Sequence, residues 1–554
     1  MNFYTQIDAF ITDTCGVSLA NFGGELALCV TIVLILLTRM FTENSPCAKK
    51  ILLAVAVVGF LTALALQWSM MKKTSPELMF TGLLVQDGLT SFLRPMLLVF
   101  GLLYTLWLHW TRLLDGDRAA DFLVMVLGAV VGMCLMVSAQ HMLIVFLGME
   151  MASVPCYALA AFRKEDRSGA ESSLKYAIFG AAAAGTMLYG ISLLCGVLGT
   201  VEIPVMGVRI AEIFVNGCSF STAFLLTLST TLIMAGLAFK LSLVPFQFWI
   251  PDVFEGASAE VACFLSVASK MAAVGLTLRI VLGLLNVDPA MLPEFAPEAV
   301  VMAMEPARRF AVVLISLLSV VTCTYGNLAA YPQTNLLRLF AYSTIAHAGY
   351  MMMPMAALPI VLGTPDAVSV MAAIGYYLVA YLFMNFVVFV VAAMLRDQTG
   401  SGEISAARGL VRNSPGIAVC LVVAVFSLVG IPPLAGFAAK FIAFVAVWKS
   451  GLVFVVVIGL VNSLISLFYY LRVVKAAVID TAPEDGCTDI ACTHAVATNG
   501  GCTRNGKTAF SVLRGAGLLC LMLTLVVVVL GIWWGDAWGG GLLGKLHHMA
   551  ELTL

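Results

Sequence analysis

Apolar runs long enough to cross a lipid bilayer recur from one end of this chain to the other, and no other feature limits its fold so narrowly. A membrane-spanning helix needs roughly 20 apolar residues to cross the hydrocarbon core. Fourteen such runs are read here. They lie at about 23–41, 51–68, 92–110, 120–138, 141–162, 173–199, 222–249, 258–285, 310–331, 335–361, 368–395, 414–448, 451–472 and 513–534. Each must be helical, because an open sheet edge in lipid leaves backbone groups unpaired. Only 11% of the 554 residues are charged, against roughly 25% in a soluble chain. Several soluble domains could not be coated by so few. The expected fold is an all-α polytopic membrane protein.

The basic residues are distributed unevenly between the two faces these spans define. Eighteen Lys and Arg fall on the side reached after the first span and eight on the other. The richer side is expected to be cytoplasmic, which places both termini outside. The first 22 residues carry Asp8 and Asp13 and no basic residue. They do not read as a secretory signal, which needs a positive start. No basic patch with interleaved aromatics suggests nucleic acid. The cysteines mostly stand singly in apolar runs, as Cys29, Cys134, Cys195 and Cys420 do, where thiols behave as small hydrophobes. With no CxxC pair, neither an iron–sulfur cluster nor a redox dithiol is expected. The longest polar stretch, 476–512, holds Cys487, Cys492, His494 and Cys502. Their spacing matches no common zinc pattern, so a loop with reduced thiols is the expectation and no metal site is assigned.

Four basic residues, Lys240, Lys270, Arg279 and Lys440, fall inside spans, as does Glu150. Charge is costly there and is a functional candidate by default. Glu150 sits near the middle of span 5 and stays ionised only beside a cation; an inert, hydrogen-bonded glutamate is the competing reading. In span 7, Pro245 lacks an N–H, so the carbonyl of Leu241 loses its helical donor and the helix should break. Lys240 stands just before that break. With Phe246, Phe248 and Trp249 taken as the interface, it lies ~13 Å deeper at helical rise, too deep for easy snorkelling. Lys270 is near the middle of span 8. Arg279, whose guanidinium does not release its proton, reads as an anchor or ion-pair partner. In span 12, Gly430, Pro432, Pro433 and Gly436 forbid a regular helix, and Lys440 follows the break by about two turns. His347 in span 10 can relay protons or simply hydrogen-bond between helices.

The two breaks are five spans apart, and spans five apart run in opposite directions. This is the pattern of an inverted repeat with a broken helix in each half. The expected divisions are three N-terminal helices over 1–119, a first repeat over 120–285, a second over 310–472, a polar cytoplasmic loop over 473–512, and a last helix and tail over 513–554.

At these residues the chain resembles the antiporter-like N subunit of NADH–quinone oxidoreductase, respiratory complex I. The motifs are Gly236-Leu-Ala-Phe-Lys240-Leu-Ser-Leu-Val-Pro245-Phe, Pro251-Asp-Val-Phe-Glu-Gly256 and Ala268-Ser-Lys270. They continue with Asn335 to Tyr350, Gly430-Ile-Pro-Pro433-Leu-Ala-Gly436-Phe-Ala-Ala-Lys440 and Asn462 to Arg472. The resemblance runs from about span 4 to span 13. It implies fourteen helices with inverted repeats, and proton transfer along buried charges that fall here on Glu150, Lys240, Lys270 and Lys440. The sister L and M subunits look to have histidine at the Lys270 position, so this lysine favours N. Gln247 departs from the family, which often has histidine there.

The resemblance also implies a bacterial inner membrane and partners like the M, K and J subunits. NADH, FMN, iron–sulfur clusters and quinone are expected in those other subunits. No dinucleotide-binding site and no cluster-ligating cysteine set are read in the chain itself. In the expected mechanism, a Glu150–Lys240 pair holds the lysine protonated. Weakening it loosens that proton toward Lys270, Lys440 and the outer side. Three rivals remain: an Mrp-type cation/proton antiporter, a membrane-bound hydrogenase subunit, and a scaffold whose ion pairs only hold helices together.

Overall fold

The computed structural model describes residues 11–42, 47–70, 75–111, 113–114, 118–163, 167–481, 515–534 and 542–554. Cys487, Cys492, His494 and Cys502 lie outside the described residues. Apolar runs become helices, as expected from lipid's lack of hydrogen-bond partners. They are α1 Gly23–Thr42, α2 Ala48–Met70, α3 Gly88–Leu108, α4 Ala119–Ser138, α5 Met142–Ala160, α6 Arg167–Leu198 and α7 Phe220–Leu241. After them come α8 Ala259–Leu285, α9 Glu305–Ala330, α10 Leu336–Val361 and α11 Asp366–Thr399. The last are α12 Pro415–Val429, α13 Ala435–Lys449, α14 Val453–Val478 and α15 Ala516–Ile532.

Among the described residues, twelve helices are long and apolar enough to cross a membrane. The run at 414–448 is not one helix but the pair α12 and α13, and α15 is a shorter apolar helix. One element was not anticipated: strands β1 Glu77–Met79 and β2 Leu84–Gln86 pair antiparallel between α2 and α3.

Burial ranks the helices. The most apolar stretches of α8, α10 and α11 are 100%, 94% and 89% buried, against 28% for α1 and 33% for the α9 run. Three helices therefore form the axis of the bundle. The outer ring turns residues such as Phe454, Val313 and Leu464 outward, as lipid-facing positions do. Polar side chains on the axis have no water to turn to and must bond to one another.

The two breaks follow one plan. α7 stops at Leu241 and α12 at Val429, each followed by a left-handed residue, Ser242 (φ 59°) and Gly430 (φ 92°). A left-handed residue is a common helix stop, and glycine adopts it without steric cost. Serine does not, and Ser242 is held there in a fully buried site. Both turns contain a cis X–Pro bond, at Val244–Pro245 and Pro432–Pro433. The chain then resumes as a short helix, Trp249–Gly256, after the first turn and as α13 after the second.

Candidate functional site: two broken helices and the polar axis between them

Each proline in these turns removes one backbone donor, and the carbonyl four residues earlier loses its partner. Pro245 strands the carbonyl of Leu241; Pro432 and Pro433 strand those of Leu428 and Val429. A lysine fills each vacancy. Lys270 Nζ, from α8, donates to Leu241 O at 2.5 Å. Lys440 Nζ, from α13, reaches back to Leu428 O at 3.1 Å and Val429 O at 2.9 Å. Both ammonium groups thus sit at the negative end of a helix dipole, which favours a cation. The geometric counterpart of Lys440 is therefore Lys270.

Lys240 is in the last turn of α7 and 3% exposed. Its burial does not come from depth along a continuous helix. α7 ends one residue later, and Trp249, taken from the sequence as an interface marker, is buried. Trp249 stacks on Tyr176 at 4.2 Å and donates from Nε1 to Phe239 O at 3.1 Å, closing another end carbonyl of α7. Of that aromatic cluster only Phe248 is exposed.

Lys240 and Glu150 do not form the direct pair expected from the sequence: no nitrogen–oxygen approach within 4.0 Å joins them. Lys240 Nζ donates instead to Ser153 Oγ at 2.8 Å. Ser153 is three residues beyond Glu150 on α5, hence on the same face. Its own hydroxyl donates to Met149 O at 2.6 Å. Glu150 is half-buried. Ser153, not Glu150, is the hydrogen-bond partner of Lys240.

A polar line runs along the buried axis from Lys270 toward Lys440. Ser266, one turn before Lys270, shares a hydrogen bond with Thr344 Oγ1 at 2.9 Å and with Tyr381 OH at 3.0 Å. A π-helical turn, Leu265–Ser269, immediately precedes Lys270; such turns are frequent at functional sites. The Tyr381 ring lies 5.5 Å from that of His347. His347 Nδ1 bonds to Tyr377 OH at 2.9 Å, and its ring lies 5.8 Å from that of Tyr350. Lys440 Nζ stands 4.5 Å above the Tyr350 ring and also donates to Ser463 Oγ at 3.1 Å. Beyond it, Asn327 accepts from Tyr469 OH at 3.0 Å and donates to Asn462 Oδ1 at 3.4 Å. Sequence reading found Glu150, Lys240, Lys270, His347 and Lys440. It missed the hydroxyls between them. Their signal was available as polar residues at helical spacing inside apolar helices: Ser343, His347 and Tyr350; Tyr377 and Tyr381; Asn462, Ser466 and Tyr469.

Arg279 and Arg94 are tied down by ion pairs. Arg279 donates from Nη2 to Asp87 Oδ1 at 2.9 Å, to Thr90 Oγ1 at 2.8 Å and to Val137 O at 3.0 Å. This is the ion-pair role expected of it. Arg94 pairs with Glu25 at 2.8 Å, both buried; this pair within α1 and α3 was not anticipated. At the end of the bundle where the short helix lies, Asp252 binds Lys175 at 3.0 Å and Arg338 at 3.3 Å, while Glu255 binds Arg338 at 2.6 Å. That network fastens the segment after the first break to α6 and α10.

The family model described as NADH:quinone oxidoreductase/Mrp antiporter, transmembrane, matches residues 139–296 and 298–466. The chain is 36% identical to NADH-quinone oxidoreductase subunit N of Rhodospirillum rubrum, over 83% of this chain and 88% of that one. It is 33% identical to the subunit N of an Anaeromyxobacter species over 93% and 94% of the two chains. A chain of respiratory complex I from Thermus thermophilus, solved with bound aureothin, superposes with a TM-score of 0.68 at 27% identity, covering 92% of this chain and 97% of that one. The chain therefore belongs to the NADH:quinone oxidoreductase/Mrp antiporter transmembrane family, as a member of its subunit N branch.

Proposed function

We propose that this chain translocates protons as a membrane-arm subunit of an NADH–quinone oxidoreductase, through Glu150, Lys240, Lys270 and Lys440, with His347 as a relay. One observation carries the reading: in each half, a buried lysine Nζ occupies the carbonyls that the helix-breaking prolines leave without a donor. Such a lysine can part with a proton and still have a fixed place to return to. The carbonyl dipoles favour the charged amine, while burial opposes it. A small change in a neighbouring charge then decides between the two states.

The Ser153 hydroxyl accepts from Lys240 and lies on the same face as Glu150. Movement of Glu150 toward or away from Lys240 changes how firmly the ammonium is held. The Ser266, Thr344 and Tyr381 hydroxyls and the His347 imidazole offer donors and acceptors from Lys270 toward Lys440. Water is required to join the remaining gaps. Protons enter from the cytoplasmic side and leave to the outside beyond Lys440. The two halves act as inverted repeats, at about 120–285 and 310–472. The charge asymmetry of the loops supports a bacterial inner-membrane location with both termini outside.

The redox chemistry belongs to partner subunits. We assign this chain no redox centre and place NADH, FMN, the iron–sulfur clusters and quinone in the rest of the complex, with M-, K- and J-like subunits as membrane neighbours. Both relatives bear the subunit N name along most of their length, which favours this assignment over an Mrp-type antiporter or a hydrogenase subunit. The deciding experiment is Lys240→Ala in membranes, with proton pumping and NADH oxidation measured together and assembly checked on a native gel. Assembled complex with both activities reduced supports the path. Unchanged activities would show Lys240 to be structural and remove the path drawn through it.

A further inference from the structure

An apolar crevice of about 260 Å³ opens on the flank of the first half, between α7, α8 and the start of α9. On α7 its lining runs from Ala223 to Leu237, about 21 Å at helical rise; on α9 it runs from Pro306 to Ile315, about 14 Å. The hydrocarbon of one leaflet is about 15 Å deep. The crevice therefore spans one leaflet, starting at the end of the bundle where α8 finishes and α9 begins. Its lining is aliphatic and aromatic apart from a few threonines whose hydroxyls, such as Thr230 and Thr277, are spent on carbonyls of their own helices.

An arginine stands at its mouth. Arg308 follows the lining residues Pro306 and Ala307 and donates from Nη2 to the carbonyl of Leu285, another lining residue, at 3.2 Å. Its Nε is buried without an acceptor. A guanidinium charge at the rim of a leaflet-deep apolar slot matches one ligand chemistry: an alkyl chain ending in an anionic oxygen group.

We propose that the crevice holds one acyl chain of an anionic phospholipid, with its phosphate on Arg308. Charge complementarity selects a phospholipid over a quinone tail, whose head group is neutral. The deep end at Leu237 is one helical turn from Lys240. A seated chain closes the approach to that lysine from the α7 N-terminal side. This consequence rests on the proposed proton path; the binding site itself does not.

The test uses the intact complex in phosphatidylcholine vesicles doped with phosphatidylglycerol carrying a diazirine near the end of one acyl chain. After photolysis, labelled peptides are mapped. Labelling concentrated at 230–237 and 311–315, above that at the lipid-facing Leu464 of α14, is expected. Ala311→Trp, which fills the slot, should abolish it. Arg308→Gln should lower it about tenfold, the loss of one charge-assisted contact. Native gels confirm assembly of both variants. Labelling no higher than at Leu464, or equal labelling by a diazirine-bearing diacylglycerol without phosphate, overturns the proposal.

Discussion

Lys270 Nζ donates to the carbonyl oxygen of Leu241 at 2.5 Å, and that carbonyl has lost its own helical donor to Pro245. Lys440 repeats the arrangement on the carbonyls left by Pro432 and Pro433. Proline and lysine therefore act as a pair in each half: one exposes a helix end inside the membrane and the other occupies it. An unfilled carbonyl there would be expensive, and an unpaired ammonium more so. The pairing makes both tolerable while keeping the proton removable.

Lys270→Arg separates hydrogen bonding from proton release. The guanidinium can still donate to Leu241 but keeps its proton at any working pH. Assembly should persist while pumping falls by roughly 100-fold, the scale of a lost acid–base group. Pumping at the parent rate in vesicles would mean that Lys270 never gives up a proton.

Replacing both prolines, Pro432→Ala with Pro433→Ala, returns backbone donors to Leu428 and Val429. Both prolines sit in the turn rather than in a helix, so thermal stability should stay unchanged or fall by about 1 kcal/mol. Pumping should drop because Lys440 loses its acceptors. Thermal melts and pumping measured on the same preparation check this. Transport at the parent rate would contradict it.

Ser153→Ala removes the direct acceptor of Lys240 and leaves Glu150 in place. Hydrogen bonds to charged groups contribute about 1.5–3 kcal/mol, so a pumping rate lowered by about tenfold is expected. Ser153→Thr, which keeps the hydroxyl, should restore most of it. Equal rates in the alanine and threonine variants would show that the hydroxyl plays no part.

Tyr377→Phe takes away the partner of His347 Nδ1 without disturbing packing. If the imidazole relays protons, pumping should fall several-fold, by about 1 kcal/mol of lost hydrogen bonding. His347→Phe should have a larger effect in the same direction. Parent activity in both variants would confine His347 to a structural role.

Asp87→Ala addresses the charges placed outside the path. It leaves the buried Arg279 without its carboxylate, at a cost of about 3–5 kcal/mol. Native gels should show less assembled complex, while pumping per assembled complex stays unchanged. Reduced pumping in fully assembled complex would bring Arg279 into the proton path.

The helices and both breaks were legible in the sequence because their causes are local. Apolar run length dictates a span in lipid, and a proline removes a donor from the carbonyl four residues before it wherever it stands. The stranding of Leu241 could be stated from Pro245 alone. What fills that carbonyl could not, because Lys270 is 29 residues away on another helix. The same limit explains Lys240. Its charge inside a span marked it, but the identity of its partner depended on how α5 rotates against α7, which brings Ser153 rather than Glu150 into contact. The buried hydroxyls of Ser266, Thr344, Tyr377 and Tyr381 are neutral, so no charge penalty singles them out in a sequence. They are brought into one line only because α8, α10 and α11 are packed away from lipid and each polar group must find a partner.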